Sequence, residues 1–169
     1  FILQEILEHE RQGTHVHIFS LKRPDESQRH PEVHEVQARV TYVGSSVGKK
    51  FVEILASHAR RVFRSPLRWT RSLALALKGG DRHSFRNFLH AARIAEAVEF
   101  RRLEHLHAHF ATGSTHLALL VSTMTGVPFS FTAHARDIYG AHIVPRALKR
   151  KIERAAFVVT RRSPSSSTA

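Results

Sequence analysis

Residues 103–110, LEHLHAHF, are followed by Ala111-Thr-Gly-Ser114 and then by apolar positions at Leu117, Leu120, Val121 and Met124, and this stretch decides the fold. The alternation over 103–110 is that of an extended strand, the next four residues are small enough for a tight turn, and the period that follows predicts a helix ending at Gly126. Residues 127–132, VPFSFT, read as a further strand. Strand, helix and strand in this order form a parallel unit, because neighbouring parallel strands need a crossover and a helix is the usual one.

The pattern repeats on both sides. Downstream, 133–144 read as a loop, 145–154 as a basic helix with Pro145 in its first turn, and 156–160 (AFVVT) as a strand. Upstream, Ser84 is the predicted N-cap of a helix whose stripe Phe85, Phe88, Leu89, Ala92 and Ala95 runs toward Phe100. Before it lie a helix over 67–78, closed by Gly79 and Gly80, and another carrying Phe51, Ile54, Leu55, Ala59 and Val62, entered through the turn 44–48 (GSSVG). Short strands are predicted at 14–21 and 40–43, with an aperiodic charged loop over 22–31 between them. The first helix, 1–12, stops at Gly13 and opens without a capping residue, as a chain cut inside an element would. The expected class is therefore α/β with a parallel sheet, in one domain spanning 1–160, followed by a low-complexity, disordered tail over 161–169 (RRSPSSSTA).

Composition narrows the chemistry. The 169 residues are 42% hydrophobic and 24% charged, a globular balance. With no cysteine, disulfide frameworks, thiolate metal sites and cysteine nucleophiles are excluded. No apolar run reaches the ~18–20 residues that cross a bilayer and the opening lacks a basic signal-like start, so a cytoplasmic protein is expected. A net charge of +12, mostly from arginine, together with 14 histidines, favours phosphate-bearing partners such as nucleotides, nucleic acids or anionic lipid. The 145–154 helix reads as a solvated basic face that would suit peripheral docking on an anionic membrane. Nucleic acid is not expected, because no interleaved aromatics accompany the charges.

His105, His107 and His109 fall on one face of a strand, with neighbours roughly 7 Å apart. His105, near the strand's start, reads as structural. His109 stands at the carboxyl end, where open parallel sheets bind ligands, directly before a turn and helix N-terminus able to meet an anion through the amides around Thr112 and Gly113. His134 and Asp137 follow the next strand, so two adjacent strand ends bring polar groups to one edge. The alternative role for Asp137 is to cap a short helix entering Ile138 and Tyr139. A zinc site of His107, His109 and His134, with Asp137 as a further candidate ligand, is a competing reading, although no helical HExxH spacing supports it.

His107-Ala-His-Phe-Ala111, the helix after it, and Gly126-Val-Pro-Phe-Ser-Phe-Thr-Ala-His-Ala-Arg-Asp-Ile-Tyr139 together resemble the N-terminal domain of family 4 glycosyltransferases, especially those building bacterial exopolysaccharide or colanic acid. The opening residues 1–7, Gly13 with 15–19, and 156–160 are similar to that domain's first helix, second strand and closing strand. The resemblance implies a Rossmann-like parallel sheet with helices on both faces, the N-terminal half of a GT-B fold with its first strand missing. It also implies a retaining transfer of sugar from a nucleotide-sugar donor to a saccharide or lipid-linked acceptor, without metal or other cofactor. By the same resemblance His109 is the catalytic strand-end histidine facing the transferred sugar. His134, Asp137 and Tyr139 line the acceptor side, and His107 orients its neighbours. The family's Gly-rich loop precedes the first helix and its donor domain follows the closing strand, so 1–169 alone is expected to be inactive. In strand order 3-2-1-4-5-6, loss of strand 1 would leave ladder groups unpaired on two neighbours, at ~1–3 kcal/mol for each one buried, and make the chain marginally stable. The other classes left open are a basic anion- or nucleic-acid-binding module and a His-ligated zinc hydrolase.

Overall fold

The alternation of strands and helices organises two compact units, Phe1–Lys50 and Phe51–Ala169. The computed structural model describes residues 2–21, 31–43, 51–134, 137–138, 140 and 144–161.

In the first unit, helix α1 (Ile2–Arg11) ends where Gly13 takes φ +76°, a conformation glycine adopts without a Cβ penalty. Strands β1 (His17–Ser20) and β2 (Arg39–Tyr42) pair in parallel, His17 opposite Arg39 and Ser20 opposite Tyr42, with a short 3-10 turn Pro31–Glu35 before β2. His17 Nε2 and Thr41 Oγ1 lie 2.9 Å apart across the pair. The Glu10 carboxylate at the end of α1 accepts from the amides of Gln37 and Ala38, at 3.2 and 2.7 Å, and so fixes the entry to β2. The expected loop 22–31 and turn 44–48 lie, apart from Pro31, outside the described residues.

The second unit consists of α2 (Phe51–Arg64), α3 (Pro66–Gly79), α4 (Arg82–Phe100), β3 (Leu106–His109), α5 (Gly113–Thr125), β4 (Phe129–His134), α6 (Pro145–Arg154) and β5 (Val158–Arg161). Its sheet has the order β3-β4-β5 and every pair is parallel, as the alternation predicts. Pro66 opens α3 at the one place where its missing N–H costs nothing. Gly80 and Gly126 close α3 and α5 in the left-handed region, with φ 71° and 85°.

The register sorts the sheet's two faces. Leu106, Ala108, Phe129, Phe131, Ala133 and Val158 share the face that carries the core, against Leu75 of α3, Leu119 of α5 and Leu148 of α6. His107, His109, Ser130, Thr132 and His134 share the other face. Parallel sheets are usually apolar on both faces, so a polar one on the histidine side marks where chemistry can sit.

Four expectations are corrected. The cap of α4 is Asp81 and not Ser84: the Asp81 carboxylate accepts from the Ser84 amide at 2.6 Å, which places Ser84 at the third helical position. The strand expected over 103–110 is shorter, because pairing with β4 begins only at Leu106, opposite Phe129, and Phe110 turns the chain away with φ 70°. His105 therefore lies just outside β3. Conversely, β4 runs on to His134, which is a strand residue and not part of the following loop. In α2, of Phe51, Ile54, Leu55, Ala59 and Val62, only Ile54 is buried, since that helix packs through Ser57, His58 and Arg61 instead.

Candidate functional site

The site begins at the carboxyl end of β3. After His109 the chain turns through Phe110, whose left-handed backbone is uncommon for a non-glycine residue and needs its surroundings to hold it. They do: the Phe110 amide donates to Thr132 O at 2.9 Å, and its carbonyl accepts from Thr115 Oγ1 at 2.6 Å and Ser114 Oγ at 3.1 Å. Ser114 Oγ also reaches the His109 carbonyl.

Three elements then grip the turn. From beyond β4, buried Asp137 Oδ2 accepts from the Ala111 amide at 3.3 Å and the His134 amide at 3.2 Å, tying the two strand ends together. From α6, Lys151 Nζ donates to Ala111 O at 2.8 Å and Thr112 O at 2.9 Å. From α4, Asn87 Nδ2 donates to Gly113 O at 3.1 Å. Thr112 and Gly113 remain exposed, and Thr112 makes no side-chain cap to α5. The start of α5 is therefore held from behind and open in front, with its positive dipole end accessible to an anion.

Along the polar face, hydroxyls and imidazoles interleave. His105 Nε2 and His107 Nδ1 both approach Ser130 Oγ, at 2.6 and 2.8 Å, while His107 Nε2 meets Thr132 Oγ1 at 3.0 Å. A serine hydroxyl has one proton, so at least one of the two imidazoles donates to Ser130. The His107 and His109 rings meet edge-on with centroids 5.1 Å apart, and the Phe110 and His134 rings are also 5.1 Å apart. His105 stacks on Phe157 and its burial lowers its pKa, in keeping with the structural role expected of it.

Electrostatically the turn rests on a buried cation. Desolvation lowers the Lys151 pKa from 10.5 to about 8, against the raising influence of Asp137 and Asp81. In α5, His116 is lowered from 6.5 to about 4, first by desolvation and then by the Lys151 charge.

The candidate residues thus fall into two groups. His109, Thr112, Gly113 and His134 lie together around the turn, with His107 one position back along the same face. Asp137 lies beneath, positioning backbone and not facing outward. Tyr139 lies outside the described residues. Of the residues in the zinc reading, His107 has both ring nitrogens facing hydroxyls, and Asp137 Oδ2 accepts two amides. The sequence reading missed Lys151, which it placed on a solvated face; it is buried because two backbone carbonyls satisfy its ammonium. A signal existed, since Lys151 shares the helical stripe of Leu148 and Ala155, both packed on the core. Ser130 and Thr132 were also missed, though their alternation with Phe129 and Phe131 places them on the histidine face. The sequence matches no protein-family model and no curated protein.

Proposed function

We propose that this chain is the acceptor-side part of a GT-B, retaining glycosyltransferase, as its resemblance to family 4 enzymes implies. The observation that carries the reading is the convergence of His109, His134 and the open Thr112–Gly113 start of α5 at adjacent carboxyl strand ends. A nucleotide sugar offers what that edge can hold: hydroxyls for the imidazoles and a phosphate for the helix N-terminus. In transfer, a glycan or lipid-linked acceptor hydroxyl bonds to the sugar's anomeric carbon on the face from which the nucleoside diphosphate departs, so configuration is retained, and the hydroxyl proton passes to the departing phosphate. His109 hydrogen-bonds the transferred sugar, His134 lines the acceptor side, and His107 orients its neighbours. No metal or cofactor takes part. The setting is cytoplasmic, peripheral to the membrane. Strand pairing supports the reading: β1 with β2, and β3-β4-β5, are the neighbours that order 3-2-1-4-5-6 assigns to its strands two and three and to its strands four, five and six.

The test begins with the gene on either side of this segment, which should encode a Gly-rich strand and loop upstream and a second Rossmann pattern with a glutamate motif downstream. Its full product should move sugar from a nucleotide donor, and His109→Ala should lower kcat about 10- to 100-fold, the loss of one hydrogen bond to the reacting sugar. Absence of both flanking patterns, or undiminished transfer by His109→Ala, refutes the proposal.

A further inference from the structure

Helix α2 is turned inside out relative to the fold it belongs to. The side it packs inward carries Ile54, Ser57, His58 and Arg61, and polar bonds secure it: Ser57 Oγ donates to Glu96 Oε2 at 2.8 Å, Trp69 Nε1 donates to His58 Nδ1 at 2.9 Å, and Arg61 pairs with Glu99. At 100° per residue, Phe51, Val52, Leu55, Ala59, Val62 and Phe63 occupy an arc of about 120° on the opposite side. That arc faces solvent, with Val52 77% and Phe63 88% exposed. Single exposed apolar residues are ordinary, but an unbroken helical stripe of six marks a surface that something covers.

Charge indicates what covers it. Across α2 and α3 the charged residues are Arg60, Arg61, Arg64, Arg68, Arg71 and Lys78, against Glu53 alone. Glu53 is engaged by Arg93 at 3.2 Å, and Arg60 and buried Arg61 are paired with Glu96 and Glu99 of α4, so the surplus rests on the exposed Arg64, Arg68, Arg71 and Lys78, with Arg64 67% exposed and 4.0 Å from Glu99. Leu67, at the start of α3 and four residues beyond Phe63, continues the exposed apolar surface at 71%. A second copy of a +12 chain would bring cation against cation here. An anionic lipid surface instead takes the apolar side chains at its acyl boundary and the arginines at its phosphates. We propose that α2 lies on an anionic bilayer through the Phe51–Phe63 arc, with the exposed Arg64, Arg68 and Arg71 of α2 and α3 at the headgroups. This assignment stands independently of the sugar-transfer reading, and it gives the membrane contact to α2 rather than to the basic helix α6.

Flotation of the chain with vesicles tests it. Phosphatidylcholine vesicles containing phosphatidylglycerol should carry the protein, and pure phosphatidylcholine vesicles should carry much less. Leu55→Asp and Phe63→Asp should each weaken partitioning about 10- to 100-fold, the loss of one apolar side chain from the acyl boundary. Both positions are exposed, so an unchanged circular dichroism spectrum should accompany the loss. Four results would overturn the proposal: no flotation with either vesicle, equal flotation with both, flotation abolished by salt but indifferent to both aspartates, or a concentration-dependent dimer that Phe63→Asp dissolves.

Discussion

Replacing Lys151 with methionine isolates the energetics of the clamp behind the turn. In the folded protein the ammonium is buried, and its pKa falls from 10.5 to about 8 chiefly through desolvation. Each pKa unit corresponds to about 1.4 kcal/mol, so burying the charged form costs about 3 kcal/mol. The sign follows from proton counting. Between pH 8 and 10.5 the unfolded chain holds this proton and the folded chain has lost it, so stability rises with pH across that window and the gain is complete above it. Methionine removes the charge and the donor together. The Ala111 carbonyl then loses its Lys151 bond, at about 1–3 kcal/mol, while Thr112 O keeps the His116 amide at 3.2 Å. Below pH 8 loss and relief nearly cancel, and Lys151→Met should match the wild type or exceed it by up to about 2 kcal/mol. Near pH 10.5 the wild type should lead by about 1–3 kcal/mol, because a neutral amine still donates to both carbonyls. Urea unfolding followed by the fluorescence of Trp69, the chain's one tryptophan, reads the crossing directly. In the same variant the His116 pKa should climb from about 4, since the Lys151 charge that helps depress it has gone. Parallel stability curves for the two proteins from pH 8 to 10.5, with His116 unmoved, would refute the reasoning.

Further expectations concern the helices and the turn. Arg61 is 2% exposed and its partner Glu99 38%, so Glu99→Ala strands a buried cation and should cost about 3–5 kcal/mol, whereas Arg61→Met leaves a carboxylate that reaches water and should cost about 1 kcal/mol or less; urea midpoints of the two variants check the asymmetry. A Cβ on Gly79 would lie 2.1 Å from Ser84 Oγ and 2.6 Å from Ser84 Cβ, so Gly79→Ala should force the ends of α3 and α4 apart and destabilise by about 1–3 kcal/mol in thermal unfolding. At Gly113 a Cβ meets only Asn87 Nδ2, at an ordinary 3.7 Å, so Gly113→Ala should leave stability within about 1 kcal/mol of wild type, as thermal unfolding of the variant checks. Lowering the pH from 6.5 to 4 should weaken the fold as His116, depressed in the folded state, takes up its proton on unfolding first; His116→Gln should flatten that part of the curve.

Much of the fold was legible because it rests on local rules. The alternation around His107 and Phe131, the period through Leu117, Leu120, Val121 and Met124, and the stops at Gly13, Gly80 and Gly126 each depend on neighbours within a few residues. Period two also placed His107 and His109 on one strand face, and the strand-end rule singled out His109, His134 and the turn between their strands. Element ends were less legible: β3 starts only where Leu106 meets β4, and Phe110 ends it through a backbone angle that no side-chain pattern announces. The sequence by itself thus determined a parallel α/β chain and the edge of its sheet where polar groups gather. Only the tertiary structure decided which arc of α2 faces inward, because amphipathicity describes a helix's two sides and burial depends on what packs against them. It alone also decided that Lys151 is buried, because a charge goes inside only where partners from distant segments, here the carbonyls of Ala111 and Thr112, meet it.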